Sequence, residues 1–171
     1  FGLVPVSSGG PHVKGGTACD VDHAVVDLSH WKGIPWVNRR NRVCIVEPGV
    51  TYGELNFYLK DHGMTLPVPL APRSTKSVIA AVIDREPHTW PRMHWDMQDP
   101  VASTEFIYGT GELFRSGAAG GPGSLEDQRR SGGAQKMPMG PGQSDFQRIL
   151  IGAQGSMGVM TWISLRTELL A

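Results

Sequence analysis

The sequence predicts a chain of the α+β class, and three observations carry that prediction. Apolar runs rich in β-branched residues, each closed by turn formers, occur at 23–31, 41–50, 104–117 and 158–167. One stretch, 51–63, has a helical period between a start signal and a stop signal. Twenty-two glycines and thirteen prolines among 171 residues impose many turns and leave little room for long helices.

Taken in order, FGLVPV is a short apolar run with nothing before it to pair with. HAVVDLSHW (23–31) reads as a buried strand and NRVCIVEPGV (41–50) as its neighbour, bounded by Asn41 and by Pro48-Gly49. Thr51 and Glu54 then stand at the spacing of a capping box, Leu55, Tyr58 and Leu59 recur at helical intervals, and Gly63 supplies the stop. This is the best-specified helix. MTLPVPLAPRST reads as an extended feed into a second short helix over 76–85, and 88–100 as an ordered loop. TEFIYGTGELFRSG (104–117) has the marks of a hairpin, and the glycine-rich, apolar-poor stretch 118–142 those of a long surface loop. A helical turn, a glycine-rich turn and a final strand at 158–167 close the chain.

The formal net charge is +0 with no block of like charges, which removes the electrostatic footprint of a nucleic-acid binder. No run approaches the length needed to span a bilayer. Cys19 and Cys44 lack the spacing of a disulfide framework or a zinc knuckle, so a reducing, cytoplasmic setting and a small-molecule or protein partner are expected. His12, His23, His30, His62, His88 and His94 show no metal-ligating spacing, and no metal is expected. Tyr52, Phe57 and Tyr58 are expected in the core, and Trp31 and Trp36 over one edge of the sheet. His94, Trp95 and Asp96 could line a pocket, but no residue is assigned a catalytic role.

The stretch PVSSGGPHVKGG (5–16) raises the question of a ligand. A P-loop fails because Gly16 stands where the phosphate-binding lysine must be and a strand-like run follows. No GxGxxG follows a strand, so an ordinary Rossmann site is absent. A cradle of successive backbone N–H groups around a pyrophosphate, helped by the serine hydroxyls, competes with plain loop glycines.

Read together and in order, PVSSGGPHVKGG, VVDLS, VEPGVTYGELNFYL, SVIAAVIDRE, TGELFRSG and LIGAQGSMGVMT resemble the vanillyl-alcohol oxidase and p-cresol methylhydroxylase (PCMH) flavoprotein family over essentially the whole chain. EPGVTYGEL and GAQGSMGVMT are the most specific pieces. The resemblance implies a two-lobed, non-Rossmann FAD-binding domain over 1–171, with FAD extended between the lobes. It further implies that Ser7, Ser8, Gly9, Gly10, Pro11 and His12 hold the pyrophosphate and that Gly15 and Gly16 finish that turn. Ser74 and Ser77 match the segment near the ribityl chain and isoalloxazine, and Gly152, Gln154, Gly155, Gly158 and Val159 the turn on the adenosine side.

Two departures stand out. Ala80-Ala81 occupy positions where the family usually has a glycine pair or Gly-Asn, and His12 is one position off the histidine that tethers flavin in some relatives, so no covalent link is predicted. The chain is expected to be the cofactor part of a longer oxidoreductase, lacking part of the first lobe and a C-terminal cap that contacts a small-molecule substrate. Uncovered surface would then favour a homo-oligomer, and an electron-acceptor protein is a conceivable partner. The rival expectation is a flavin-free scaffold that binds a partner subunit through 118–142.

Overall fold

The computed structural model describes residues 1–10, 21–68, 70–86, 101–140 and 144–170. Pro11, His12, Gly15 and Gly16 lie outside the described residues, as does the strip 88–100 with His88, His94, Trp95 and Asp96.

A five-stranded antiparallel sheet forms the centre. Its strands are β3 (Trp36–Asn38), β4 (Val43–Val46), β6 (Val101–Tyr108), β7 (Leu113–Arg115) and β8 (Gly158–Arg166), in the order β3-β4-β8-β6-β7. β4 is buried along its whole length, which explains why VCIV reads as an unbroken apolar run and not as an alternation. The period of two still sorts its side chains. Cys44 and Val46 join Ile163 and Leu165 of β8 beneath the helices, whereas Ile45 meets Trp162 on the opposite face.

Helix α1 (Tyr52–Asp61) forms as its sequence dictates. Thr51 Oγ1 accepts from the Glu54 N–H, and the Glu54 carboxylate accepts from the Thr51 N–H at 2.9 Å, completing the capping box. The helix turns out at Gly63, where φ is +66°. Its buried stripe is Tyr52, Leu55 and Leu59. Phe57 is 72% exposed and Tyr58 borders solvent, so the expectation that both are core residues fails; they lie off that stripe. α2 (Val78–Ile83) is shorter than 76–85 and is buried through Val78, Ile79, Ala81 and Val82. Ala81 therefore serves the core.

Three further expectations change. Residues 23–27 form β2 (His23–Asp27), which is mostly exposed and pairs in parallel with β1 (Gly2–Val6), not with 41–50. FGLVPV is thus paired, through a register running from Gly2–His23 to Val6–Asp27. Trp36 does not cover the sheet edge; it is part of the edge strand, β3.

The largest change concerns 118–140, the described part of 118–142, which is not a free loop. Gly117–Gly120 form a 3-10 turn and Leu125–Arg130 a capped helix, α3, and Ala119 and Leu125 pack with Ile45 and Trp162 on the second face of the sheet. Polar side chains do the closing. Buried Gln128 donates to the Ala119 and Gly121 carbonyls at 3.1 and 2.8 Å, Gln135 donates to Gln128 at 2.8 Å, and Ser103 donates to the Gln135 carbonyl at 3.0 Å. An apolar-periodicity reading has no access to a segment anchored in that way.

α4 (Gln147–Leu150) and the pair of short strands β5 (Met64–Thr65) and β9 (Glu168–Leu169) complete the chain. Among the described residues, no helix is long and apolar enough to cross a membrane and no group of three or more His, Cys, Asp or Glu could hold a metal ion.

Candidate functional site

Parallel pairing sends both β1 and β2 out at the same edge, so the loop after Val6 meets the turn after Asp27. The Leu28 N–H donates to the Val6 carbonyl at 2.7 Å, and the Asp27 carboxylate accepts from the Ser29 N–H at 2.8 Å; hydrogen bonding by the Ser29 side chain first, and by its N–H second, keeps that carboxyl below its ordinary range. Ser8 is buried, while Gly9 and Gly10 are exposed.

A second junction brings up the Pro48-Gly49 turn. The Gly33 N–H donates to the Glu47 carboxylate at 2.8 Å, and the Gly49 N–H donates to the Trp31 carbonyl at 2.6 Å. Only glycine fits at position 49, because a Cβ there would lie 2.4 Å from the Ser29 carbonyl oxygen. A third junction ties 74–78 to the start of α1, with Tyr52 N–H donating to Lys76 O, Gly53 N–H to Ser74 O, and Val78 N–H to Val50 O, at 3.0, 2.8 and 3.0 Å.

These junctions enclose a cleft of about 220 Å³ lined by Ser7, Ser8, Gly9, Ser29, His30, Lys32, Gly49, Thr51 and Thr75. Five of its nine lining residues carry hydroxyls, one is a lysine and none is a carboxylate. The Thr51 hydroxyl already donates to Glu54 Oε2 at 2.8 Å, and the remaining hydroxyls with the lysine suit an oxyanion. Gly9 adds open space, since a Cβ built on it would meet no heavy atom within 4 Å. These residues fit the pyrophosphate of a dinucleotide, held by hydroxyl and backbone donors without a Rossmann helix.

The sequence-predicted residues separate into three places. Ser7, Ser8 and Gly9 line the cleft, with Gly10 just beyond. Ser74 and Ser77 stand to either side of the lining residue Thr75 in the segment tied to the start of α1. The Ser77 hydroxyl is already engaged, accepting from Ala80 N–H at 3.1 Å and donating to the Pro48 carbonyl at 2.7 Å. Gly152, Gln154 and Gly155 form a turn against β1 and α2: a Gly155 Cβ would stand 3.2 Å from Pro5, and Gln154 N–H donates to Ile83 O at 3.3 Å. Gly152, Gln154 and Gly155 all have φ between +55° and +88°. Gly158 and Val159 belong to β8, where a Cβ on Gly158 would lie 2.1 Å from the Ile107 carbonyl oxygen. The late turn does not line the cleft.

Sequence reasoning missed Ser29, His30, Lys32, Gly49, Thr51 and Thr75 as site residues. Signals for three of the six were present: VVDLS and EPGVTYGEL contain Ser29, Gly49 and Thr51, and Thr51 is visible as a helix cap. Lys32 lies outside every motif.

A family model described as a FAD binding domain matches residues 3–117. The chain is 25% identical over 166 residues to the mitochondrial D-lactate dehydrogenase [cytochrome] of Arabidopsis thaliana, covering 97% of this chain and 26% of that protein. Among solved structures, 4-ethylphenol oxidase from Gulosibacter chungangensis superposes with a TM-score of 0.75 at 22% identity, over 98% of this chain and 30% of that one. An alkyldihydroxyacetonephosphate synthase superposes at 0.72 with 15% identity, over 98% and 27%. A p-cresol methylhydroxylase superposes at 0.65 with 21% identity, over 86% and 27%. The chain thus spans between a quarter and a third of each of these proteins and shares the fold of the corresponding part of the solved structures.

Proposed function

The chain belongs to the FAD-binding domain family that matches residues 3–117, and from that premise we propose that it is the cofactor-binding part of a flavin-dependent oxidoreductase, with the FAD diphosphate in the hydroxyl-lined cleft. FAD is the cofactor, and the fold is of the PCMH type. The observation that carries the placement is the convergence of Ser7, Ser8 and Gly9 with Ser29, Thr51, Thr75 and Lys32 in one cleft with no carboxylate among its described lining residues.

The chain's own residues have a binding and positioning task. Ser7 and Ser8 offer hydroxyls to phosphate oxygens, and Gly9 lets the backbone approach. Gly49 keeps the Ser29 turn close enough for its side chains to share the same ligand. Ser74 and Ser77 set the strap that closes the α1 end. The turn at Gly152, Gln154 and Gly155 lies against Pro5 of β1 and is assigned to the adenosine side of FAD on the family resemblance. Gly10 and the residues after it, Pro11, His12, Gly15 and Gly16, are assigned to the same cradle on the family resemblance, with Gly158 and Val159 holding the late turn to β8.

Bound FAD supplies a hydride acceptor at flavin N5. The proposed donor is an alcohol, a 2-hydroxy acid or a para-substituted phenol. Two of the relatives, a D-lactate dehydrogenase and a 4-ethylphenol oxidase, have names that mention a 2-hydroxy acid and a phenol. Substrate contacts are assigned to a cap domain of the kind the resemblance implies, and no catalytic residue is named among these 171. The test is anaerobic addition of D-lactate, a primary alcohol or 4-ethylphenol to FAD-loaded protein. Bleaching of the flavin absorption band by one of them supports the assignment, and a loaded protein bleached by dithionite but by none of the three rejects the substrate classes.

A further inference from the structure

Lys32 is the one lysine or arginine among the described residues of the cleft lining, and it does not face the cleft alone. Its Nζ donates to Glu54 Oε1 at 2.7 Å. The second oxygen of that carboxylate is committed to the capping box, accepting from the Thr51 N–H at 2.9 Å and the Thr51 hydroxyl at 2.8 Å. Glu54 is therefore pinned, and it pins Lys32 in turn. The ammonium has three donors, of which this bond uses one, and both side chains remain about half exposed.

An anion entering beside Ser7, Ser8 and Thr51 meets a lysine whose charge is already opposed by a fixed carboxylate at the N-terminal turn of α1. We propose that Lys32 is the residue by which this cleft distinguishes a flavin bearing a diphosphate from one without it, and that Glu54 is a built-in competing anion that lowers the affinity. This rests on the reading of the cleft as the FAD diphosphate site. Attraction to the ligand and to Glu54 are alternatives for the same charge. The pair thus keeps the local field near neutral, so recognition depends on close contact and little on long-range steering.

The two roles separate experimentally. Dissociation constants for FAD and for riboflavin, which has no diphosphate, are measured by flavin fluorescence at several salt concentrations. The proteins are the wild type, Lys32→Met, Glu54→Gln and the double variant. Glutamine at the third helical position preserves the capping box, and thermal unfolding checks that each variant is folded. Lys32→Met is expected to weaken FAD about fivefold and to leave riboflavin within about twofold. Glu54→Gln is expected to tighten FAD about threefold and to steepen its salt dependence, because Lys32 is then unopposed. In the Lys32→Met background the Glu54→Gln gain should shrink below about twofold, the mark of one residue acting through the other.

The proposal is overturned if Lys32→Met leaves FAD affinity unchanged or lowers riboflavin affinity by the same factor. Weaker FAD binding by a folded Glu54→Gln protein also overturns it, since Glu54 would then be helping the ligand. A wild type that binds neither flavin at any salt concentration defeats the FAD reading itself, which is a distinct result.

Discussion

Gly49→Ala and Gly9→Ala place the same methyl group at two points of one cleft, and the structure predicts opposite consequences. At position 49 the new Cβ would lie 2.4 Å from the Ser29 carbonyl oxygen and 2.7 Å from both the Ser29 carbonyl carbon and the Trp31 carbonyl oxygen, all of them backbone atoms. Restoring ordinary contact requires the 29–31 turn to retreat by about 1 Å. That movement disrupts the 2.6 Å Gly49–Trp31 hydrogen bond. Overpacking together with the lost bond costs about 3 kcal/mol, which for a chain of this size lowers Tm by roughly 6–12 °C. The displaced turn carries Ser29 and Lys32, so FAD affinity should fall about tenfold, equivalent to ~1.4 kcal/mol.

At position 9 the methyl meets no heavy atom within 4 Å. Stability should therefore stay within about 0.5 kcal/mol of the wild type. FAD affinity should nevertheless drop about tenfold or more, because the methyl occupies ligand space. Differential scanning fluorimetry and FAD titration of the two variants read both quantities. A Gly49→Ala protein that melts like the wild type would refute the packing argument, and a Gly9→Ala protein that both melts and binds normally would refute the cleft.

Other substitutions probe separate parts of the fold. Lys76 is buried and lies 2.8 Å from Asp84 and 3.0 Å from Glu86, so Lys76→Met leaves two carboxylates facing each other without it. About 3 kcal/mol of stability should be lost by urea titration, and Lys76→Arg should recover part of it. Ser77→Ala removes the α2 cap and the bond to the Pro48 carbonyl, at a cost of about 1–2 kcal/mol in the same assay. Burial pushes the Cys44 thiol up to about 12, so iodoacetamide at pH 8 should leave Cys44 unmodified in the folded protein and label it after denaturation, read by peptide mass spectrometry.

The Glu54 carboxyl is held below its ordinary 4.5, chiefly by the Lys32 hydrogen bond and then by Thr51. A depressed folded value means that its contribution to stability is present above pH ~4.5 and is lost as pH falls through the folded value. Exposure keeps that contribution under ~1 kcal/mol. Acid unfolding of Glu54→Gln should be correspondingly shallower below pH 4.5 than that of the wild type.

Local chemistry explains what the sequence made legible. The capping box at Thr51 and Glu54, the Gly63 stop, the hairpin around 108–113 and the closing strand need only neighbours within a few residues, and all four appear where expected. Parallel pairing of β1 with β2 leaves no local mark, because its partners are 21 residues apart. The same holds for the second face of the sheet. Gln128 and Gln135 read as loop residues, and their burial follows from carbonyl groups that only the folded chain supplies. In the cleft, Ser7, Ser8 and Gly9 were visible as a glycine cluster with serines. Lys32 was not, since its place depends on Glu47 folding the 31–33 turn back through Gly33.

The central claim, that this cleft holds FAD, is tested most directly by a visible absorption spectrum of the purified protein with and without added FAD, followed by acid precipitation. The account predicts a protein-associated flavin band that is released into the supernatant by acid and is weakened in the Gly9→Ala variant. A folded wild type that remains colourless in the presence of FAD would contradict it.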